Sequence, residues 1–220
     1  MNELDSRLDE PRPCRVSIDE GRLDNADGHY RKRLRDLAGL YADTAAFATL
    51  ADAHGEDIVY DVTSYTPGSK TSDLITGVTR MNPGKVGEEY FMTRGHIHAR
   101  GDRPEIYYAQ AGHGLMQLES PQGDVRIVEL AAQSICYVPP YWIHRSVNVG
   151  QDDLVMMFAY PADSGQDYGI IERSGGLRVR IVDDGRGGWK RIDNPAWRQR
   201  DAEQIAAIFD AQEHVGGLPG

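Results

Sequence analysis

Beyond Gly55 the sequence breaks into short segments rich in Val, Ile, Tyr and Phe, separated by Gly, Pro, Asn and Asp. This constrains the fold more than any other feature. The segments run over 58–62, 89–92, 106–108, 115–118, 125–130, 135–138, 146–149, 154–160 and 177–182. Between two of them, Ser120-Pro121-Gln122-Gly123-Asp124 reads as a hairpin loop. So many short strands at this spacing predict a closed β structure, a sandwich or a barrel. Ahead of them, residues 1–27 are polar, contain Pro11 and Pro13, and read as an extended arm. Over 27–51, Tyr30, Leu34, Leu37, Leu40 and Tyr41 recur at helical spacing, which predicts one or two short helices. A last helix is expected over 201–213, with Ile205, Ile208 and Phe209 on one face. The organisation expected is an N-terminal arm with helices (1–55), a barrel (56–198) and a C-terminal helix and tail (199–220).

Composition narrows the function classes. With 220 residues, 40% of them hydrophobic, the chain can bury a substantial core. Its longest apolar cluster, Leu154-Val155-Met156-Met157-Phe158-Ala159-Tyr160, is strand length and far too short to span a bilayer. The start, Met-Asn-Glu-Leu-Asp, is acidic and does not read as a secretory signal, so a cytoplasmic protein is expected. Cys14 and Cys136 are distant in sequence and read as two reduced thiols. A formal charge of −10 disfavours nucleic acid and anionic membranes as partners. If the ligand is an anion, the positive charge that receives it must be local, or supplied in part by a metal.

The segment that carries chemistry is Thr93-Arg94-Gly95-His96-Ile97-His98, followed by Glu105 and then Pro139-Pro140-Tyr141-Trp142-Ile143-His144. On a strand, His96 and His98 face one side and Ile97 the other. Glu105 falls on the next strand, after a polar loop. His144 is remote and meets the others only through tertiary folding, as the interior of a barrel would allow. Imidazoles with a carboxylate suit Fe(II), Mn(II), Ni(II) or Zn(II), with coordination positions left open. Without a thiolate, the set does not read as a closed structural zinc site. His29, His54, His113 and His214 stand outside it and read as ordinary surface or core residues.

With Pro139, His144 and Asn148 added, the spacing matches the cupin metal signature. Glu105 follows His98 by seven positions, later than that signature usually places it, and Gln133 and Tyr141 stand where it expects glycine. These departures point to one branch. The run Pro83-Gly84-x-Val86-Gly87-x-Glu89-Tyr90-x-Met92-Thr93-x-Gly95-His96-x-His98 resembles the cupin phosphoglucose isomerases of archaea and some bacteria. So do Tyr137-Val138-Pro139-Pro140-Tyr141-Trp142, Tyr160-Pro161-Ala162-Asp163, Asp167-Tyr168-Gly169 and Asp193-Asn194-Pro195-x-Trp197.

That resemblance implies an all-β cupin double-stranded β-helix, a jelly-roll barrel with N-terminal helices and a short C-terminal helix. It implies a metal-dependent aldose–ketose isomerase of glycolysis and gluconeogenesis that interconverts glucose 6-phosphate and fructose 6-phosphate. His96, His98, Glu105 and His144 would hold one divalent metal per chain, with Fe(II) expected and Zn, Mn or Ni as alternatives. Glu105 and His144 would be catalytic, Glu105 as the base. A sugar-phosphate pocket would be lined by Tyr60, Thr79, Thr93, Gly95, Tyr107, Tyr160, Gln166 and Tyr168. Thr and Tyr hydroxyls and a glycine amide suit an anion in an acidic protein, because they donate hydrogen bonds without fixed charge. The family usually carries His where this chain has Gln166, a side chain that donates a hydrogen bond but takes up no proton. Fold-level analogy adds a homodimer. Two rival readings use the same site: a cupin dioxygenase with Fe(II), and a non-catalytic sugar-phosphate-binding cupin.

Overall fold

In the computed structural model the described residues are 11, 13–17, 19–68, 70–71 and 73–210. The strands in chain order are β1 (Arg15–Ser17), β2 (Arg22–Asp24), β3 (Gly28–Arg33), β4 (Ile58–Tyr65), β5 (Leu74–Met81), β6 (Lys85–Val86) and β7 (Glu89–Tyr90). They continue with β8 (Glu105–Ala111), β9 (His113–Glu119), β10 (Val125–Ala131), β11 (Ile135–Val138), β12 (Ile143–Asn148), β13 (Leu154–Pro161), β14 (Val179–Asp183) and β15 (Trp189–Asp193). Helices α1 (Thr44–His54), α2 (Gly169–Arg173) and α3 (Ala202–Asp210) complete the set, with a 3-10 turn at Leu34–Leu37.

The expected all-β architecture is what forms. A six-stranded sheet runs β11-β8-β13-β5-β4-β3, opposed by sheets β10-β9-β12 and β15-β14-β7-β6. One apolar core joins them, with Val62, Met81 and Met156 from the first sheet against Leu115, Met116, Leu130, Val147 and Ile181 from the others. Strand alternation decides what enters this interior. On β8, Glu105, Tyr107 and Ala109 are buried while Ile106 and Tyr108 are exposed. The Ser120–Asp124 turn joins β9 to β10 as expected, with Val125 paired to Glu119.

Helix was expected from residue 27, and this needs correction. Residues 28–33 form strand β3, paired to β4 from Gly28↔Ser64 to Arg33↔Ile58. The free edge of β4 offers backbone partners that a local helix would leave unmet. Leu34, Leu37 and Tyr41 do reach the core, but from the 3-10 turn and the segment after it. Helix α1 starts only where Asp43 accepts a hydrogen bond from the Ala46 amide at 2.8 Å, an N-cap. It then packs Phe47, Leu50 and Ala51 on the barrel. At the other end, Asp201 and Gln204 exchange backbone-to-side-chain hydrogen bonds at the start of α3. The last expected turn of that helix, 211–213, and residues 1–10 of the expected arm lie outside the described residues.

Gln133 and Tyr141, where glycine was expected, both sit in the left-handed region, at φ 71° and 70°. The backbone keeps the glycine conformation without glycine, at a cost of roughly 1–2 kcal/mol each. Cys14 and Cys136 are free thiols. Among the described residues, no helix is long and apolar enough to cross a membrane.

Candidate metal and substrate site

His96 and His98 sit on a segment bridged to its neighbours rather than on a full strand. His96 pairs with His144 of β12, and Ile97 with Asp167. The alternation expected of a strand nevertheless holds. Ile97 packs against Ile143, Ile170, Ile171 and Ile208, while both imidazoles turn toward Glu105. Gly95 makes the approach possible. Its φ is +75°, and a Cβ there would meet the His144 carbonyl oxygen and the Arg145 Cβ, each at 2.8 Å. A side chain at this position would push His96 away from β12.

Three elements therefore deliver four groups to one point. Glu105, the first residue of β8, places Oε2 3.1 Å from His144 Nε2, 3.2 Å from His98 Nε2 and 3.8 Å from His96 Nε2. Ligand atoms of His96, Glu105 and His144 all lie within 4.8 Å of one another. Two imidazoles have fixed tautomers. His98 Nδ1 donates to the Arg103 carbonyl at 2.8 Å, and His144 Nδ1 to the Trp142 carbonyl at 3.0 Å. Each Nε2 is then a bare lone pair facing the cluster.

The Nε2 atoms of His96 and His98 are buried and have no hydrogen-bond partner. A buried group left unpaired costs about 1–3 kcal/mol. A cation between them would satisfy both. The electrostatics agree with such a role. Burial, with His144 adding to it, lowers the His96 pKa well below the ordinary histidine value, so the ring is neutral. Burial works to raise the Glu105 pKa, but the polar neighbours His144 and His98 overcome it and hold it well below the usual carboxylate range, so the carboxylate is ionised. Imidazoles and one carboxylate, without thiolate, form a donor set suited to a borderline divalent metal. The residues present fit such an ion.

The cluster opens into a cavity of ≈ 50 Å³ lined by every residue expected of the substrate pocket: Tyr60, Thr79, Thr93, Gly95, Tyr107, Tyr160, Gln166 and Tyr168. A far larger cleft, ≈ 1120 Å³, lies between the β1–β2 hairpin and the β3–β4 edge, and none of the four converging groups reaches it. Donor chemistry, not size, marks the site. Tyr107 hydrogen-bonds Glu105, and Tyr168 joins Tyr30 and Gln166. Burial raises the hydroxyl pKa of Tyr60 to about 12 and pushes up those of Tyr107, Tyr160 and Tyr168, so all four are neutral donors.

Among the lining residues that the sequence reading missed are Tyr30, Arg94 and Arg145. Arg94 lies over the Tyr168 ring at 5.1 Å and within 3.4 Å of Glu172. Arg145 is buried, and its Nε finds no partner. Burial, reinforced by Arg180, lowers its pKa to about 10, which still leaves it cationic at neutral pH. These two guanidinium groups are the local positive charge that an acidic chain would need to receive an anion. Arg94 stands inside the Thr-Arg-Gly-His run, so its place in that run was the available signal.

The family described as glucose-6-phosphate isomerase (GPI) matches residues 31–198. The chain is 59% identical over 208 residues to glucose-6-phosphate isomerase of Sinorhizobium medicae (strain WSM419), covering 94% of this chain and 97% of the relative. It is 39% identical over 189 residues to glucose-6-phosphate isomerase of Thermococcus litoralis, covering 86% and 97%. Among solved structures, an oxalate oxidase overlays with a TM-score of 0.42 at 19% identity, over 49% of this chain and 54% of the other.

Proposed function

The chain belongs to the glucose-6-phosphate isomerase family, and from that premise we propose that it interconverts glucose 6-phosphate and fructose 6-phosphate at a divalent-metal site. The observation that carries this reading is the convergence of four groups from three elements on one buried point beside a hydroxyl-lined cavity. His96, His98, Glu105 and His144 would hold the ion, with Fe(II) as the resident metal. When bound, a divalent ion supplies Lewis-acid polarisation of the substrate carbonyl.

The chain's own residues have separable tasks. Arg94 and Arg145 attract the phosphate. The hydroxyls of Tyr60, Thr79, Thr93, Tyr160 and Tyr168, with the Gly95 amide and Gln166, orient the sugar phosphate by neutral donors. Aldose–ketose exchange moves one hydrogen between C1 and C2 and a second between O1 and O2, and Glu105 is the carboxylate we assign to carry the first as a proton. Its depressed pKa makes it a weak base, and the Tyr107 hydroxyl that donates to it favours the ionised form that takes up the proton. The depth of the site keeps bulk water from the reacting carbons. The protein is further proposed to work in the cytoplasm as a homodimer.

A coupled assay on fructose 6-phosphate after chelator treatment, with Fe(II), Mn, Ni and Zn restored one at a time, tests the reading. Activity should vanish on chelation and return most fully with Fe(II). Metal-loaded protein that leaves fructose 6-phosphate untouched would refute it, and oxygen uptake in its place would mark a dioxygenase. In deuterated water the product should carry solvent deuterium at the transferred position if Glu105 moves a proton. Complete absence of deuterium, with full activity retained by Glu105→Gln, would rule out the proton route.

A further inference from the structure

We propose that Asp163 is a positioning residue for the metal centre, acting through Arg103 on the orientation of His98. This rests on the reading that the four converging groups hold a divalent cation. His98 and Glu105 are seven positions apart, and the loop between, 99–104, contains Gly101 and Pro104 and no regular secondary structure. Such a loop has little intrinsic reason to hold one shape. Yet it supplies the group that orients His98, because the Arg103 carbonyl accepts from His98 Nδ1 at 2.8 Å. If that carbonyl moves, the imidazole turns or changes tautomer, and Nε2 leaves the cluster.

One carboxylate fixes the loop. Arg103 grips Asp163 in a two-point fork, Nε to Oδ1 at 2.9 Å and Nη2 to Oδ2 at 2.8 Å. Arg100 Nη1 reaches the same Oδ2 at 2.7 Å. The remaining Arg103 nitrogen donates to Asp102 at 2.7 Å. Backbone bonds run alongside, from the Arg100 amide to the Ser164 carbonyl at 2.8 Å and from the Ala99 amide to Gly165 at 3.3 Å. The planar guanidinium with both ends engaged cannot rotate without breaking two charge-assisted bonds, so its backbone is held as well. Asp163 is itself anchored just after β13, three positions after Tyr160 and three before Gln166. The clamp therefore ties the loop between two metal-binding groups to the segment that lines the substrate cavity. Asp163 is not among the residues that line the cavity.

The test compares wild type with Asp163→Asn and Arg103→Lys, because each keeps a polar side chain while removing the fork. The affinity of the apoprotein for Zn²⁺ and Mn²⁺ is measured by competition with a chromophoric chelator, alongside the apoprotein melting temperature. Loss of an outer partner of a ligating His typically weakens metal affinity about 10–100-fold, and that range is expected for both variants. Nitrogen NMR of the zinc-loaded protein should show His98 as the Nδ1–H tautomer in wild type and as a mixture in the variants. A variant that melts lower yet binds metal within twofold of wild type, with His98 unchanged, would overturn the proposal in favour of a structural role. Wild-type protein that binds neither metal would instead overturn the metal reading beneath it. Should Asp163→Asn fail to fold, Arg103→Lys decides the matter by the same two readouts.

Discussion

The backbones of His96 and His144 exchange hydrogen bonds, His96 N–H to the His144 carbonyl at 3.0 Å and the reverse at 2.9 Å. This bridge sets the two imidazoles with ring centroids 4.5 Å apart, although their segments are remote in sequence. Gly95 sits beside it in a left-handed conformation, with no room for a Cβ. Gly95→Ala should destabilise the fold by about 1–2 kcal/mol from the backbone alone, and should also weaken metal binding as the bridge opens. Melting of the apoprotein and a metal titration read the two effects separately.

Arg94 provides rim charge at the cavity. Arg94→Ala should raise KM for fructose 6-phosphate far more than it lowers kcat. A hydrogen bond to a charged group contributes about 1.5–3 kcal/mol, which corresponds to roughly 10–150-fold in KM. Arg94→Lys should recover part of the loss, because it restores the charge without the planar fork. Steady-state kinetics at constant ionic strength measures both. An unchanged KM in Arg94→Ala would remove this residue from phosphate binding.

Gln166 approaches the Tyr168 hydroxyl at the edge of the cavity. Gln166→His introduces a group that is cationic below its ordinary pKa of about 6.5 and neutral above it. KM for the sugar phosphate should therefore become pH-dependent in the variant, lower at pH 6 than at pH 8, relative to the unmodified chain. Parallel KM profiles for the two proteins would show that position 166 does not face the phosphate.

Glu119 and Arg200 form an ion pair at 2.9 Å with side chains 1% and 3% exposed. Glu119 also accepts from the Trp197 indole at 3.2 Å and the Arg178 amide at 2.6 Å. This knot fastens the segment before α3 to the end of β9. Arg200→Met strands a buried carboxylate and should cost about 3–5 kcal/mol, measured by urea unfolding. Glu119→Gln combined with Arg200→Met should restore much of that stability, because the stranded charge is gone.

Asp163 titrates below the usual carboxylate range, chiefly through the hydrogen bond from Arg103, with the charges of Arg103 and Arg100 outweighing its slight desolvation. A depressed carboxylate contributes stability above its unfolded pKa of about 3.9, and that contribution is lost as pH falls through the lower folded value. The difference in melting temperature between wild type and Asp163→Asn should be constant from pH 7 to pH 5. It should shrink below about pH 4. A gap that persists undiminished into strong acid would contradict the assignment of the shift to this group.

Much of the site was legible because its signals are local. His-x-His alternation, the proline-flanked His144 and the tyrosine-bearing strands each declare a facing direction through the period of two. The β hairpin at Ser120–Asp124 was legible for the same reason. Strand β3 was not, because Tyr30, Leu34 and Leu37 share helical spacing and only the open edge of β4 decides otherwise. With β3 went Tyr30, whose place in the cavity follows from that pairing. Arg145 was equally hidden. An arginine after a histidine on a strand reads as solvent-facing, and its burial depends on Tyr41, Glu89 and Arg180 arriving from elsewhere. The Asp163 clamp and the Glu119–Arg200 pair likewise join segments whose proximity no spacing rule reveals.

Burial raises the hydroxyl pKa of Tyr60, Tyr160 and Tyr168 above the ordinary phenol value. The hydroxyl contacts of such a cavity keep the same charge in mild and in moderately alkaline buffer, and Arg145, with its pKa lowered to about 10, is the contact that changes first. Affinity for the sugar phosphate should then be level between about pH 7.5 and pH 8.5, beneath the range where these hydroxyls ionise and where Arg145 loses its proton. Any alkaline fall in turnover across that interval would trace to the chemical step and leave recognition untouched.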